Sequence, residues 1–208
     1  MIIIPAVLEK DSEDALRVIN ILHGTVEWIQ IDFSDGTMTK TNTCDLYDFV
    51  GEVDDVNIEV HLMTTSPEEY LDACDAIGAK RVYFHLGEVE SPSAVLHAMD
   101  PYDFTKGIAL SPQTSTEDVF PYIDEIDAVQ VMTVVPGKQG GEFIADALKK
   151  VVDLRERRSD LWIAVDGGIN EDTIEEIADC GVDAVGVGSA IARAGNPIMS
   201  YHTLEELL

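Results

Sequence analysis

Eight short apolar runs alternate with eight helical stretches along the whole chain, and this alternation restricts the fold more than any other feature. The runs are Ile2–Leu8, Glu27–Asp32, Asn57–Met63, Arg81–His85, Thr105–Leu110, Ala128–Thr133, Trp162–Asp166 and Ala184–Val187. Most are almost continuously apolar, the pattern of parallel strands buried on both faces. Helical patterns fill the gaps at Ser12–Leu22, Cys44–Val50, Pro67–Ile77, Ser93–Met99, Thr116–Ile123, Glu142–Arg158, Asn170–Cys180 and Pro197–Leu207. Cap chemistry marks two of their starts, at Thr65-Ser66-Pro67-Glu68-Glu69 and at Asn170-Glu171-Asp172. Eight strand–helix units in 208 residues predict an α/β protein, a single (β/α)₈ TIM barrel spanning residues 1–208. A doubly wound open sheet usually has fewer strands and often a glycine-rich turn after the first one. The first run here ends in Leu8-Glu9-Lys10-Asp11, without glycine.

Two strand ends near the C-terminus carry the strongest local signal. Val165-Asp166-Gly167-Gly168-Ile169-Asn170 and Val185-Gly186-Val187-Gly188-Ser189-Ala190-Ile191 each run from an apolar strand into glycines and a helix start. Glycines let backbone N–H groups approach a ligand closely, and helix N-termini favour anions. Asp166 stands beside them, where a carboxylate can do chemistry on the anion they hold. This pattern implies a phosphate-binding barrel enzyme.

Charge narrows the partners. Asp and Glu number 40 against 13 Lys and Arg, a formal net charge of -27. Nucleic acid and anionic membrane both need a basic surface, so neither is expected as a partner. A few aligned amides can still bind a small anion locally. Two explanations of the acidity stay open, a saline interior and plain solubility. Cys44, Cys74 and Cys180 are odd in number and lack CxxC spacing, which reads as reduced structural thiols in a cytoplasmic protein. The chain opens directly into a strand, so no signal peptide is expected, and no apolar run approaches a membrane span.

Functional groups of a barrel come from the C-terminal ends of its strands. The polar residues there are Gln30, Asp32 and Asp35 on strand 2, His61 on strand 3, His85 on strand 4 and Asp166 on strand 7. Gln30 and Asp32 are two apart and point the same way. Two carboxylates and an imidazole at one mouth can bind a divalent metal or share acid and base work. The plainer account of each is a strand-end residue bonded to the next loop. That account is preferred for His85, whereas Asp166 beside its glycines reads as functional.

In the order they occur, several segments resemble the ribulose-phosphate 3-epimerase family over essentially the full length. They are Trp28-Ile29-Gln30-Ile31-Asp32-Phe33-Ser34-Asp35-Gly36, Glu59-Val60-His61-Leu62-Met63, Gly107-Ile108-Ala109-Leu110-Ser111-Pro112, Val131-Met132-Thr133-Val134-Val135-Pro136-Gly137, Val165-Asp166-Gly167-Gly168 and Gly188-Ser189-Ala190-Ile191. The resemblance implies a barrel of the ribulose-phosphate-binding type, an isomerase and a homo-oligomer. It implies that Asp32 and Asp166 lie on opposite faces of a ketopentose 5-phosphate. One takes the C3 proton and the other returns a proton to the far face, through an enediolate. It also implies one divalent metal (Zn, Mn, Fe, Co or Mg) held by Asp32, His61 and Asp166, with Gln30 in the place of the fourth ligand. Substrate and its phosphate would contact His61, Gly137, Gly140, Gly141, Gly167, Gly168, Gly188 and Ser189, under a closing loop from Pro136 to Gly141.

The chain departs from that family at informative positions. Gln30 stands where the family has a metal-binding histidine, and an amide oxygen is a harder, weaker ligand than imidazole. Ala6 replaces a substrate-contacting serine, and Ser34 a methionine of the pocket floor. Thr37-Met38-Thr39-Lys40 and Gly137-Lys138-Gln139-Gly140-Gly141 replace the usual loop sequences. Three outcomes are open: a metal bound less tightly and shifted towards manganese or magnesium, a metal-free enzyme in which donors such as Gln30 and Lys138 hold the enediolate, or a different phosphosugar. Hexulose-phosphate synthases and related decarboxylases share the last two motifs, but they carry an Asp-x-Lys-x-x-Asp motif on strand 3 that Glu59-Val60-His61-Leu62-Met63 lacks. A phosphosugar-binding protein without turnover is the remaining alternative.

Overall fold

The computed structural model of the chain describes residues 1–137 and 140–208. Eight parallel strands close a barrel in chain order: β1 (Ile2–Val7), β2 (Trp28–Ser34), β3 (Asn57–Met63), β4 (Arg81–His85), β5 (Thr105–Leu110), β6 (Ala128–Met132), β7 (Trp162–Asp166) and β8 (Ala184–Val187). Pairing of β1 with β8 completes the ring, with Ile3 beside Val185 and Pro5 beside Val187. The architecture is the (β/α)₈ TIM barrel that the alternation predicts.

Strand alternation sorts the side chains into two sets. Outward residues such as Ile29, Ile31, Ile58, Val60 and Val165 join one core with helix residues including Val18, Leu22, Val151 and Ile177. Full burial of each such aliphatic chain contributes about 1.5–3 kcal/mol. Inward residues are more polar, and the register decides which of them meet. Asp32 pairs across from His61, Gln30 from Glu59, and Met132 from Asp166.

The N-terminal end of the barrel is plugged. Arg81 donates to Glu59 Oε2 at 2.7 Å, and its guanidinium lies 4.5 Å from the Trp162 ring centroid and 4.9 Å from that of Trp28. Burial pushes the Glu59 carboxyl up to about 7, with Arg81 opposing. Above the plug Tyr83 fills the interior, and Gly107 leaves it room: a Cβ there would sit 2.2 Å from Tyr83 Cδ1. The plug fills this end of the barrel, opposite the C-terminal mouth.

Helices α1 (Ser12–Leu22), α2 (Leu71–Ala76), α3 (Pro92–Ala98), α4 (Thr116–Val119), α5 (Lys149–Arg157), α6 (Ile174–Asp179), α7 (Ser189–Ala192) and α8 (Pro197–Glu205) cover the barrel. Five strands and α1 keep their expected bounds, while β2 continues to Ser34 because that residue still pairs with Met63. The helix expected at Cys44–Val50 is a 3₁₀ turn over Leu46–Phe49, capped by the Asp45 side chain. Pro67–Ile77 divides into a 3₁₀ turn, Pro67–Tyr70, and α2. Asn170 caps a turn rather than a helix: it accepts from Asp172 N at 2.8 Å, and α6 starts at Ile174. No helix among the described residues is long and apolar enough to cross a membrane.

Candidate active site

The ends of β2, β3 and β7 bring Asp32, His61 and Asp166 together at the floor of a pocket of about 340 Å³. His61 Nδ1 lies 2.9 Å from Asp32 Oδ1 and 3.6 Å from Asp166 Oδ2. Both carboxylates stay partly open to the pocket, with side chains 12% and 10% exposed. Gly186 makes room for the second: a Cβ there would lie 3.1 Å from Asp166 Cγ and Oδ1.

Two buried amides support the pair from below. Gln30 Nε2 donates to Asp32 Oδ1 at 2.8 Å and to Asp166 Oδ2 at 2.9 Å. Gln130 Nε2 donates to the same Asp166 oxygen at 2.8 Å. A carboxylate only accepts, so the nitrogen is the amide end that faces it. Gln130 Oε1 is buried without a partner among the described residues. Gln130 did not stand out in the sequence, although a polar residue at an inward position of Ala128-Val129-Gln130-Val131-Met132 is the signal that could have found it.

Burial, and then the charge of Asp32, push the Asp166 carboxyl up to about 7, with His61 and the Gln30 hydrogen bond opposing. For His61, burial acts to lower the imidazole value, but the bond to Asp32 and the charges of both aspartates outweigh it and the net shift is upward. His85 is fully buried and lies 2.8 Å from His61, Nε2 to Nε2. Burial and then the charge of His61 hold it well below the ordinary imidazole value, so it is neutral at pH 7. The site can therefore hold one proton near neutrality on a carboxyl that faces a second carboxylate, the arrangement general acid–base chemistry requires.

The glycines form the other wall. Gly140, Gly141, Gly167, Gly168, Gly188 and Ser189 all line the pocket. Gly167 has φ +108°, and a Cβ there would fall 2.3 Å from Val134 Cγ2. Thr133 Oγ1 donates to the carbonyls of Asp166 and Gly167, at 3.1 and 2.5 Å, fixing the turn after β7. Gly137 also lines the pocket, and its carbonyl accepts from Thr41 Oγ1 at 2.8 Å. Ala6, which replaces the serine of the resembled family, lines the pocket. Ser34 is turned to Thr39 Oγ1 at 2.8 Å. Asp35 is drawn off into a loop network with Thr37, Thr64 and Tyr70. Lys138 and Gln139 lie outside the described residues.

Asp32, His61 and Asp166 each offer a ligand atom, and these atoms lie within 4.8 Å of one another. Two oxygens and an imidazole nitrogen so placed fit a divalent cation. Gln30 contributes an oxygen to that set only with its amide turned over, because its nitrogen now faces both carboxylates.

A closed barrel with facing carboxylates over a glycine-walled pocket defines a (β/α)₈ enzyme of acid–base type. Residues 2–192 match the model of the ribulose-phosphate 3 epimerase family, and the chain belongs to that family. It is 30% identical over 209 residues to the ribulose-phosphate 3-epimerase of Mycobacterium tuberculosis, covering 98% of this chain and 91% of that one. It is 34% identical over 139 residues to the enzyme of that name from Schizosaccharomyces pombe, covering 67% of this chain and 61% of that one. The cytoplasmic isoform from Oryza sativa is 29% identical, covering 96% and 90%. Among solved structures, a 3-hexulose-6-phosphate synthase superposes over 100% of both chains with a TM-score of 0.74 at 16% identity, a likeness of fold alone.

Proposed function

We propose that this protein interconverts D-ribulose 5-phosphate and D-xylulose 5-phosphate by moving a proton at C3. The observation that carries this reading is the facing pair, Asp32 and Asp166, joined through His61 Nδ1 and the Gln30 amide. Epimerisation needs one group to remove a proton from one face and another to deliver a proton to the other. A carboxyl that holds a proton near neutrality, facing a second carboxylate, meets both needs, and the two exchange roles in the reverse direction. His61 and Gln30 hold the two in register, and Gln130 donates to the same Asp166 oxygen as Gln30, which fixes the orientation of that carboxyl.

The glycine wall suits the phosphate of such a substrate. Backbone amides near Gly140-Gly141, Gly167-Gly168 and Gly188-Ser189 can approach the phosphate oxygens closely because no Cβ intervenes. Gly137, Gly140 and Gly141 line the pocket, where they exclude water from the enediolate. Asp32, His61 and Asp166 would hold a divalent ion, with Gln30 as a fourth ligand after reversal of its amide. Such an ion, when bound, supplies positive charge against the oxyanion that develops as C3 loses its proton. Three oxygens and one nitrogen form a harder donor set than one with two imidazoles, which weakens zinc binding and shifts the preference towards manganese or magnesium. Three free cysteines suit a reducing cytoplasm.

Asp166→Asn keeps the shape and removes the titrating group. It should lower kcat for ribulose 5-phosphate by about 10²–10⁴-fold with little change in KM. Turnover equal to the wild type would sink the two-carboxylate mechanism.

A further inference from the structure

Behind His61 a hydrogen-bonded chain leads away from the pocket, and the proton transfers at C3 make no use of it. His61 Nε2 lies 2.8 Å from His85 Nε2, and His85 Nδ1 lies 3.1 Å from Ser111 Oγ. The two rings are buried, with centroids 5.0 Å apart and planes tilted by 38°. Ser111 follows β5 and is fastened from α5: Lys150 Nζ donates to the carbonyls of Ser111, Pro112 and Thr114 at 2.7, 3.0 and 2.7 Å. The chain is therefore Asp32, His61, His85, Ser111, held at its far end by a lysine.

A neutral imidazole has one N–H and one acceptor nitrogen, so two rings facing through nitrogen must agree on which one donates. Suppose His61 Nδ1–H donates to Asp32 Oδ1. Its Nε2 then accepts from His85 Nε2–H, and His85 Nδ1 accepts from the Ser111 hydroxyl. Suppose instead that His61 turns the lone pair of Nδ1 to a cation. Its proton then sits on Nε2 and is donated to His85 Nε2, and His85 Nδ1–H donates to Ser111 Oγ. Each ring carries one proton in both arrangements, so no net charge enters or leaves the pair. A hydroxyl can donate or accept, and it alone at the end of the chain satisfies both.

We propose that His85 and Ser111 are positioning residues that set which nitrogen of His61 bears the proton, and so allow His61 to alternate between donating to Asp32 and ligating a divalent cation. The proposal rests on the reading above in one respect only, that His61 Nδ1 faces the cation. Buried nitrogens are costly to leave without partners, which ties the two rings and the serine into one unit.

The test needs no substrate. Nitrogen-15 NMR of labelled histidines reads the tautomer of His61 directly in metal-free protein and after saturation with Zn²⁺, and calorimetric titration with Zn²⁺ reads affinity. In the wild type His61 should change from the Nδ1–H to the Nε2–H form on adding Zn²⁺. Ser111→Ala and His85→Phe should each weaken Zn²⁺ binding, by about 10–100-fold for the residue that touches the ligand. Ser111→Thr, which keeps the hydroxyl, should restore it, and this pair of serine variants decides the matter if His85→Phe does not fold. A wild type that keeps one tautomer throughout, or takes up no Zn²⁺, overturns the proposal. So does a folded Ser111→Ala protein with wild-type affinity and spectrum. Absence of turnover on ribulose 5-phosphate with the two tautomers present would instead count against the epimerase reading.

Discussion

Asp166 Oδ2 accepts two amide hydrogens, from Gln30 at 2.9 Å and Gln130 at 2.8 Å, yet burial still leaves the carboxyl titrating at about 7. The consequence for stability has a definite sign. An ordinary carboxyl releases its proton near 3.8, so between 3.8 and about 7 the folded chain holds a proton that the unfolded chain has lost. The contribution of this group is full below that window and falls as pH rises through it. Urea midpoints at about pH 5 and about pH 7.5 should show wild type losing stability relative to Asp166→Asn as pH increases. Parallel changes in the two proteins would rule out a raised carboxyl. At this scale the two aspartates and His61 were legible, because acids and imidazoles at strand ends are rare and chemically loaded. Gln130 was not, because an amide in a strand has no chemistry until its partner is known.

At the scale of elements, an apolar run bounded by turn residues marks a buried strand, and five of the eight strands have the bounds the runs predict. Helix α1 is equally plain, with Asp11 accepting from Glu13 N at 2.9 Å. The apolar spacing of Cys44–Val50 suits a helix, whereas the chain there makes a single tight turn between β2 and β3, over Leu46–Phe49. The short α7 at Ser189 was visible only as a helix start, since four residues carry no periodicity. Gly107 on β5 shows what an element owes to its neighbour. Gly107→Ala should cost about 1–3 kcal/mol, because its Cβ would overlap the buried Tyr83 ring on β4. An unchanged urea midpoint would mean that Tyr83 can step aside.

Over the whole molecule a net charge of -27 acts as self-repulsion that salt can screen. Screening shortens from about 10 Å at 0.1 M to about 3 Å at 1 M ionic strength. The urea midpoint should therefore rise with KCl across that range; a large loss at low salt points to a saline interior, and a flat response to solubility alone. Charge, strand count and the order of the motifs are properties of the sequence by itself. They determined the barrel and the family, because burial of an apolar run and the spacing of turns are local. Only the tertiary structure decided that the Gln30 nitrogen meets an aspartate 136 residues away. It alone decided, too, that His61 leans on His85 and Ser111. Closing the barrel sets inward residues of different strands at one level, and no pattern within a single strand records which of them will share it.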